Sequence, residues 1–213
     1  MCPPNHVPRD AQAVIETIVL DYGGVITPVR RSGAFLDWLL GTYEVDADAL
    51  RSLFRGPRYR DYQRGRVSEQ VFYEAVQTLG VESDRLFLAE HWASLNEPVP
   101  GMKRLVDGLQ KSFDLCLVSD STPELTRDVK QRFAGVFRVA CFSDEHGYVK
   151  QDGVLFDILL KAMDRPTNTC LYIDDRVENL EYPASKGIHC IHFAGVDALV
   201  GELDAGWDIR VPS

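Results

Sequence analysis

The sequence predicts an α/β protein: a doubly wound parallel sheet with a small all-helical segment inserted after the first strand. Three observations carry this reading. From Pro98 onward, short β-favouring runs alternate with helix-spaced segments, the pattern of a parallel sheet covered on both faces. Between 33 and 95 there is no β-type run, only apolar residues at helical spacing. The strand-like runs also end in polar or acidic residues, Asp21, Ser119 and Asp174-Asp175, at the carboxyl edge where open α/β sheets place their sites.

Residues 1–13 are polar and proline-bearing and are expected to form a loose leader with no signal-peptide apolar core. Ile18-Val19-Leu20 then reads as a strand buried on both faces, stopping at Asp21-Tyr22-Gly23-Gly24-Val25. After the break at Thr27-Pro28 come the helical sets Phe35, Trp38, Leu39 and Tyr43; Leu50, Leu53 and Phe54; Val71, Phe72, Ala75, Val76 and Leu79; and Leu86, Leu88, Trp92 and Leu95. Asp46, Ser68 and Ser83 are candidate N-caps, and Gly56, Gly65 and Gly80 candidate stops. A helix near 101–111 leads to the strand Leu115-Cys116-Leu117-Val118-Ser119. Ser121-Thr122-Pro123-Glu124 has capping-box spacing with proline in the first turn, opening a helix to about Phe133. Val139 to Phe142 is a short strand, and Asp152 is positioned to cap a helix to about Met163 with Leu155, Phe156 and Leu159 on its apolar face. Leu171-Tyr172-Ile173, a helix at 177–186, the strand Ile188 to Phe193 and a helix near 196–204 complete the alternation. The expected division is a core of 14–30 and 96–213 with a helical cap, 31–95, lying over the carboxyl edge of the sheet.

The bulk properties narrow the function. With 213 residues, 45% of them hydrophobic and 26% charged, the chain is ordinary for a globular protein and long enough to bury a core. A net charge of −9 argues against nucleic acid or an anionic membrane as a partner, because affinity for phosphate backbones comes from lysine and arginine. No apolar run is long enough to span a bilayer, and a cytoplasmic location is expected. The five cysteines include Cys116, Cys141, Cys170 and Cys190 in strand-like runs with no C-x-x-C spacing, which reads as buried thiols in a reducing compartment rather than a zinc site.

The strand ends carry the chemistry. An Asp preceding two glycines is also an ordinary turn, so Asp21 acquires meaning only from residues further along the chain. Asp21, Ser119 and Asp174-Asp175 converge if the sheet forms as predicted, and Lys150 comes after Val139 to Phe142 in the loop Ser143-Asp144-Glu145-His146-Gly147-Tyr148-Val149-Lys150. Carboxylates meeting in a crevice repel unless a cation lies between them, and a set of hard oxygen ligands suits Mg²⁺. A lysine and a hydroxyl beside such a metal complete a pocket for phosphoryl oxygens.

In this arrangement the chain resembles the haloacid dehalogenase superfamily, whose members are mostly phosphatases with a Rossmann-like core. The resemblance covers nearly the whole chain through four motifs in order: Asp21-x-Gly23-Gly24-Val25, Ser119, Lys150 ahead of a helix, and Asp174-Asp175-x-x-x-Asn179. It implies that Asp21 is a nucleophile forming an aspartyl-phosphate. It also implies that Asp21, Asp175 and the Gly23 carbonyl ligate Mg²⁺, with Asp174 and Asn179 supporting them from behind. Ser119 and Lys150 would hold the phosphoryl oxygens with backbone amides around Gly24 and Asp120. Without the other motifs, Lys150 is a solvated loop lysine and Ser119 a hydroxyl at the start of a helix.

Gly23 departs from the common pattern, which has a second Asp there to protonate the leaving group and activate water. Loss of a general acid/base removes roughly 10²–10⁴-fold in rate. The Asp-x-Gly form resembles the subgroup of bacterial glucose-1-phosphate phosphatase and the epoxide hydrolase phosphatase domain, and Gln151 stands where a proline commonly follows the lysine. The expected activity is Mg²⁺-dependent hydrolysis of a small phosphorylated metabolite, favouring leaving groups that depart without much protonation. Two alternatives are a non-catalytic binding or regulatory protein on the same fold and a metal-independent dehalogenase. Arg55, Arg58, Arg60, Arg64 and Arg66 form a basic cluster that either faces the pocket or makes a solvated helix face. His146 reads as a surface-loop residue, and His189 and His192 as structural.

Overall fold

The computed structural model describes residues 14–28 and 31–210; the expected leader, 1–13, lies outside them. Five strands, β1 (Thr17–Leu20), β2 (Asp114–Ser119), β3 (Val139–Phe142), β4 (Cys170–Asp174) and β5 (His189–His192), form one parallel sheet in the order β3-β2-β1-β4-β5. The first strand is therefore central. The chain builds outward to β3 on one side of β1 and then returns to build β4 and β5 on the other, which makes the gap between β1 and β4 the topological switch point.

Strand alternation sets the two faces. Ile18, Leu20, Leu115 and Leu117 pack with helices α6 (Met102–Leu109), α7 (Pro123–Arg132) and α11 (Val196–Trp207). Val19, Cys116, Val118 and Tyr172 face the other way against Leu155, Phe156 and Leu159 of α9 (Val154–Met163). Residues buried on both faces explain why the strands read as continuous apolar runs rather than alternating ones. Among the described residues, five helices lie between β1 and α6: α1 (Arg31–Thr42), α2 (Ala47–Arg55), α3 (Pro57–Gln63), α4 (Glu69–Gln77) and α5 (Arg85–Ser94). They gather around a separate aromatic cluster in which Phe35 stacks on Trp92 at 4.7 Å and Tyr62 on Phe72 at 4.2 Å. Leu125 of α7 inserts into that cluster, so the five helices are seated on the sheet domain by apolar contact as well as polar ties.

Several local expectations need correction. The N-cap of α5 is Asp84, not Ser83; its carboxylate accepts from the Phe87 amide at 3.0 Å. Asp152 does not cap α9, whose N-cap is Gly153 with φ 73°; the Asp152 side chain instead accepts from the Val149 amide and from Arg64. The Ser121–Glu124 capping box does not form, because Thr122 is the N-cap without a side-chain bond and Glu124 is drawn to tyrosines of α3 and α4. The predicted loop 143–150 holds a short helix, α8 (Ser143–His146), and the helix expected at 177–186 is a 3₁₀ turn leading into α10 (Glu181–Ser185).

Candidate active site

The segment after β1 is shaped by glycine. The Gly24 backbone has φ 93°, its amide donates to the Thr27 carbonyl at 2.8 Å, and a Cβ there would overlap the Asp175 carboxylate. Only glycine allows the chain to turn back this close to the end of β4. Asp21 is thereby held at the carboxyl end of the central strand, 3% exposed, with one carboxylate oxygen accepting the Tyr22 amide at 2.6 Å.

Lys150 reaches the same place from the 3₁₀ turn Lys150–Asp152. Its ammonium group, on a residue 4% exposed, lies 2.9 Å from Asp21 Oδ2 and 2.6 Å from Asp174 Oδ2. Burial alone would lower its pKa, but the two carboxylates outweigh burial and hold the lysine charged well above its ordinary range. The turn itself is pinned by the Asp120 carboxylate, which accepts the Lys150 amide at 2.8 Å.

Asp174 and Asp175 have different surroundings. Asp174 is fully buried and receives Lys150 Nζ, both oxygens are met by Asn179 Nδ2 at 3.1 Å, the Arg176 amide donates at 2.8 Å, and the Tyr172 hydroxyl donates as well. It acts as a hub for hydrogen bonds. Asp175 is half-buried, and its Oδ1 is a buried oxygen with no hydrogen-bond partner. Burial and then the neighbouring Asp174 charge push the Asp175 carboxyl up from its ordinary pKa.

One oxygen from each of Asp21, Asp174 and Asp175 lies within 4.8 Å of the others. The set is all oxygen and includes an uncompensated buried carboxylate oxygen, which fits a hard divalent cation. Asp174 already receives Lys150, Tyr172, Asn179 and the Arg176 amide, whereas Asp175 Oδ1 receives no donor.

These residues open onto a cavity of about 450 Å³, within the range of small-ligand sites. Asp21, Gly23, Asp120, Lys150, Asp175 and Asn179 form its floor; Tyr59, Arg60, Gln63 and Arg64 of the α3 region form the opposite wall. Arg64 binds Asp152 through Nε and Nη2, at 3.1–3.4 Å, and Ser143 Oγ donates to the Gln63 carbonyl at 2.7 Å.

Of the residues predicted from sequence, Asp21, Gly23, Asp120, Lys150, Asp175 and Asn179 meet on this cavity, with Asp174 directly behind them. Two do not reach it. Ser119 is fully buried at the end of β2 with its hydroxyl toward the Asp120 carbonyl at 3.4 Å, and the Gly24 amide is taken by Thr27. His146 is exposed and away from the cavity, and His192 Nε2 lies 3.0 Å from the Asp175 carbonyl oxygen. The basic cluster divides: Arg60, itself exposed, and Arg64 line the cavity, while Arg66 bonds the Gly147 carbonyl and Arg55 and Arg58 are exposed without lining it. Sequence reasoning missed Tyr172, although it precedes Asp174 by two residues in a strand and so shares its face. It also missed Gln63, whose spacing three after Arg60 is a helical-face signal.

A parallel sheet with a carboxylate and a lysine at its switch point, roofed by helices inserted after the first strand, is an α/β architecture whose cavity lies at the carboxyl edge of the sheet. The chain belongs to the haloacid dehalogenase-like hydrolases, whose family model matches residues 13–184. No curated protein matches the chain in sequence. Among solved structures, a haloacid dehalogenase family enzyme from Bacteroides thetaiotaomicron, in complex with magnesium and inorganic phosphate, is similar with a TM-score of 0.68 at 16% identity, over 86% of this chain and 96% of that one. A protein from Porphyromonas gingivalis described as a predicted HAD-like family hydrolase is similar at 0.69 and 22% identity, over 90% of this chain and 98% of that one. The L-2-haloacid dehalogenase of Xanthobacter autotrophicus gives 0.62 and 16% identity, over 91% and 84%. At these identities the likeness is one of fold.

Proposed function

We propose that this hydrolase is a Mg²⁺-dependent phosphatase acting on a small phosphorylated metabolite through a covalent intermediate on Asp21. The observation that carries the reading is the meeting of three groups on one cavity: the Asp21 carboxylate, the Lys150 ammonium 2.9 Å from it, and the uncompensated Asp175 oxygen. A carboxylate nucleophile divides hydrolysis into two displacements. In the first, an Asp21 oxygen bonds to phosphorus as the ester oxygen leaves; in the second, water attacks phosphorus and the carboxylate is released. Asp21, Asp175 and the Gly23 carbonyl would hold Mg²⁺, which supplies charge neutralisation for the phosphoryl oxygens. Lys150 offers a fixed positive charge to the same oxygens, and Asp174, with Asn179 and Tyr172, holds Lys150 in place. The complex of magnesium and inorganic phosphate with the Bacteroides thetaiotaomicron enzyme supports both the metal and the phosphoryl group.

Helices α1–α5 act in this reading as a cap that selects the substrate. With Gly23 in place of a second carboxylate, the site resembles the Asp-x-Gly phosphatases of the glucose-1-phosphate type and favours anomeric or acyl phosphates, whose leaving groups need little protonation. The cysteines Cys116, Cys141, Cys170 and Cys190 are free thiols, which supports a reducing, cytoplasmic setting. A metal-independent dehalogenase is the alternative chemistry for an Asp nucleophile, and the unpaired oxygen of Asp175 favours the metal-dependent one. A panel of phosphate esters assayed with Mg²⁺ and with chelator, beside an Asp21→Asn control, tests the reading. Phosphate release that needs both Mg²⁺ and Asp21 supports it; chelator-resistant halide release from haloacids would replace it.

A further inference from the structure

The cavity is divided by charge. Its floor carries Asp21, Asp120 and Asp175 around Lys150, whereas the wall supplied by α3 presents Arg60, Gln63 and Arg64. The two arginines are not equivalent. Arg64, with a side chain only 17% exposed, is occupied by Asp152 through three contacts and ties α3 to the sheet domain. Arg60 lies one helical turn earlier on the same face and, among the described residues, has neither an ion pair nor a side-chain hydrogen bond. Arg176, on the opposite side of the cavity, is engaged by Glu178 at 2.6 Å. Arg60 is exposed and lines the cavity, and in a chain of net charge −9 it does so without a carboxylate partner among the described residues. The Gln63 side chain, three residues on, is a second donor on that wall, its backbone carbonyl being the group that Ser143 uses.

From this geometry we infer that the substrate carries a second anionic group, a carboxylate or a second phosphate, which binds Arg60 and Gln63 while its reacting phosphoryl group sits by Asp21 and Lys150. The inference rests on the phosphatase reading for what occupies the floor. A cavity of about 450 Å³ exceeds what a phosphoryl group alone fills, and the floor offers the remote end no uncommitted cation: Lys150 is spent on Asp21 and Asp174. A guanidinium matches the planar, two-oxygen face of a carboxylate or phosphate and forms charge-assisted bonds to it. Arg60 is thus a specificity-determining residue, and among anomeric or acyl phosphates those that carry a second anionic group bind better than those that do not.

The test is binding of non-hydrolysable phosphonates to the intact protein with Mg²⁺, measured by calorimetry. Three probes differ only at the far end: 3-hydroxypropylphosphonate, 3-phosphonopropionate and propane-1,3-bisphosphonate. The inference predicts that at least one of the two doubly anionic probes binds on the order of tenfold more tightly than the alcohol. Arg60→Ala removes that preference and Arg60→Lys restores part of it; which anionic probe wins identifies the second group. Equal affinities for all three, no binding of any, or a preference that survives Arg60→Ala would overturn the inference. Because no turnover is read, failure of the protein to hydrolyse any ester would remove the phosphatase reading without deciding this one.

Discussion

Lys150 is a buried cation held between Asp21 and Asp174, and neither carboxylate is solvated enough to stand alone. Removing one partner of such a group leaves uncompensated buried charge, which costs about 3–5 kcal/mol. Lys150→Ala is therefore expected to lower the urea unfolding free energy by about that amount, measured in metal-free buffer; a change under about 1 kcal/mol would mean the carboxylates find other compensation. Gly24 gives the second residue-scale prediction. Alanine there must adopt a positive φ and meet the Asp175 carboxylate, so Gly24→Ala should displace that side chain and weaken Mg²⁺ binding by roughly tenfold or more in calorimetry. Unchanged affinity would dissociate Asp175 from the metal. The same residues show what the sequence allowed. Asp21, Lys150 and the Asp174-Asp175 pair were legible because each comes after a recognisable strand or loop, and burial then forces carboxylates and lysine to pair. The position of Ser119 was not legible, because whether a strand-end hydroxyl faces the cavity or a neighbouring carbonyl depends on a single rotamer.

At the scale of elements, the contact between the inserted helices and α7 is organised around Glu124. This carboxylate is buried where Tyr62 of α3 and Tyr73 of α4 donate to it, the latter at 3.2 Å. Around it, Glu69 of α4 is held by Arg85 at 2.8 Å and by Arg127 of α7 at 2.7 Å. Burial pushes the Glu124 carboxyl up from 4.5 to about 7, against the lowering effect of the Tyr62 hydroxyl. Between those two values the folded protein holds a proton that an unfolded chain has released, so this group's contribution to stability is full below pH 4.5 and lost as pH rises through about 7. Over that window the loss amounts to about 3 kcal/mol. Glu124→Gln should flatten this part of the pH–stability curve between 4.5 and about 7 in urea unfolding; a variant with the wild-type slope would assign the slope to other groups. Sequence spacing read Glu124 as half of a capping box, a purely local interpretation. Its partners lie 51 and 62 residues away, and no local pattern announces a tertiary bond. The helices themselves were legible from apolar spacing, whereas the end at Gly153 was decided by the competing partners of the Asp152 side chain, Arg64 and the Val149 amide.

For the whole molecule, strand order grows out of the alternation of elements, and it puts Asp21 and Asp174 on either side of the switch point. The inserted helices then close over this edge, tied down by Arg64–Asp152, Ser143–Gln63, Glu124 and the apolar insertion of Leu125. The direction in which α3 points its arginines could not be read from the sequence, since it depends on how two independently packed clusters dock. The absence of a carboxylate at Gly23 gives a prediction at this scale. Across a series of aryl and alkyl phosphates, kcat should fall steeply as the leaving-group pKa rises, because no side chain at that position protonates the departing oxygen. A flat dependence would require another acid in the cavity. The central claim, that Asp21 attacks phosphorus, is tested most directly by acid-quenching the protein during turnover of a ³²P-labelled acyl phosphate in Mg²⁺ and mapping the label. The account predicts base-labile phosphate on the peptide containing Asp21, absent after Asp21→Asn and absent with chelator; phosphate release with no label on Asp21, or label persisting in the Asp21→Asn protein, would contradict it.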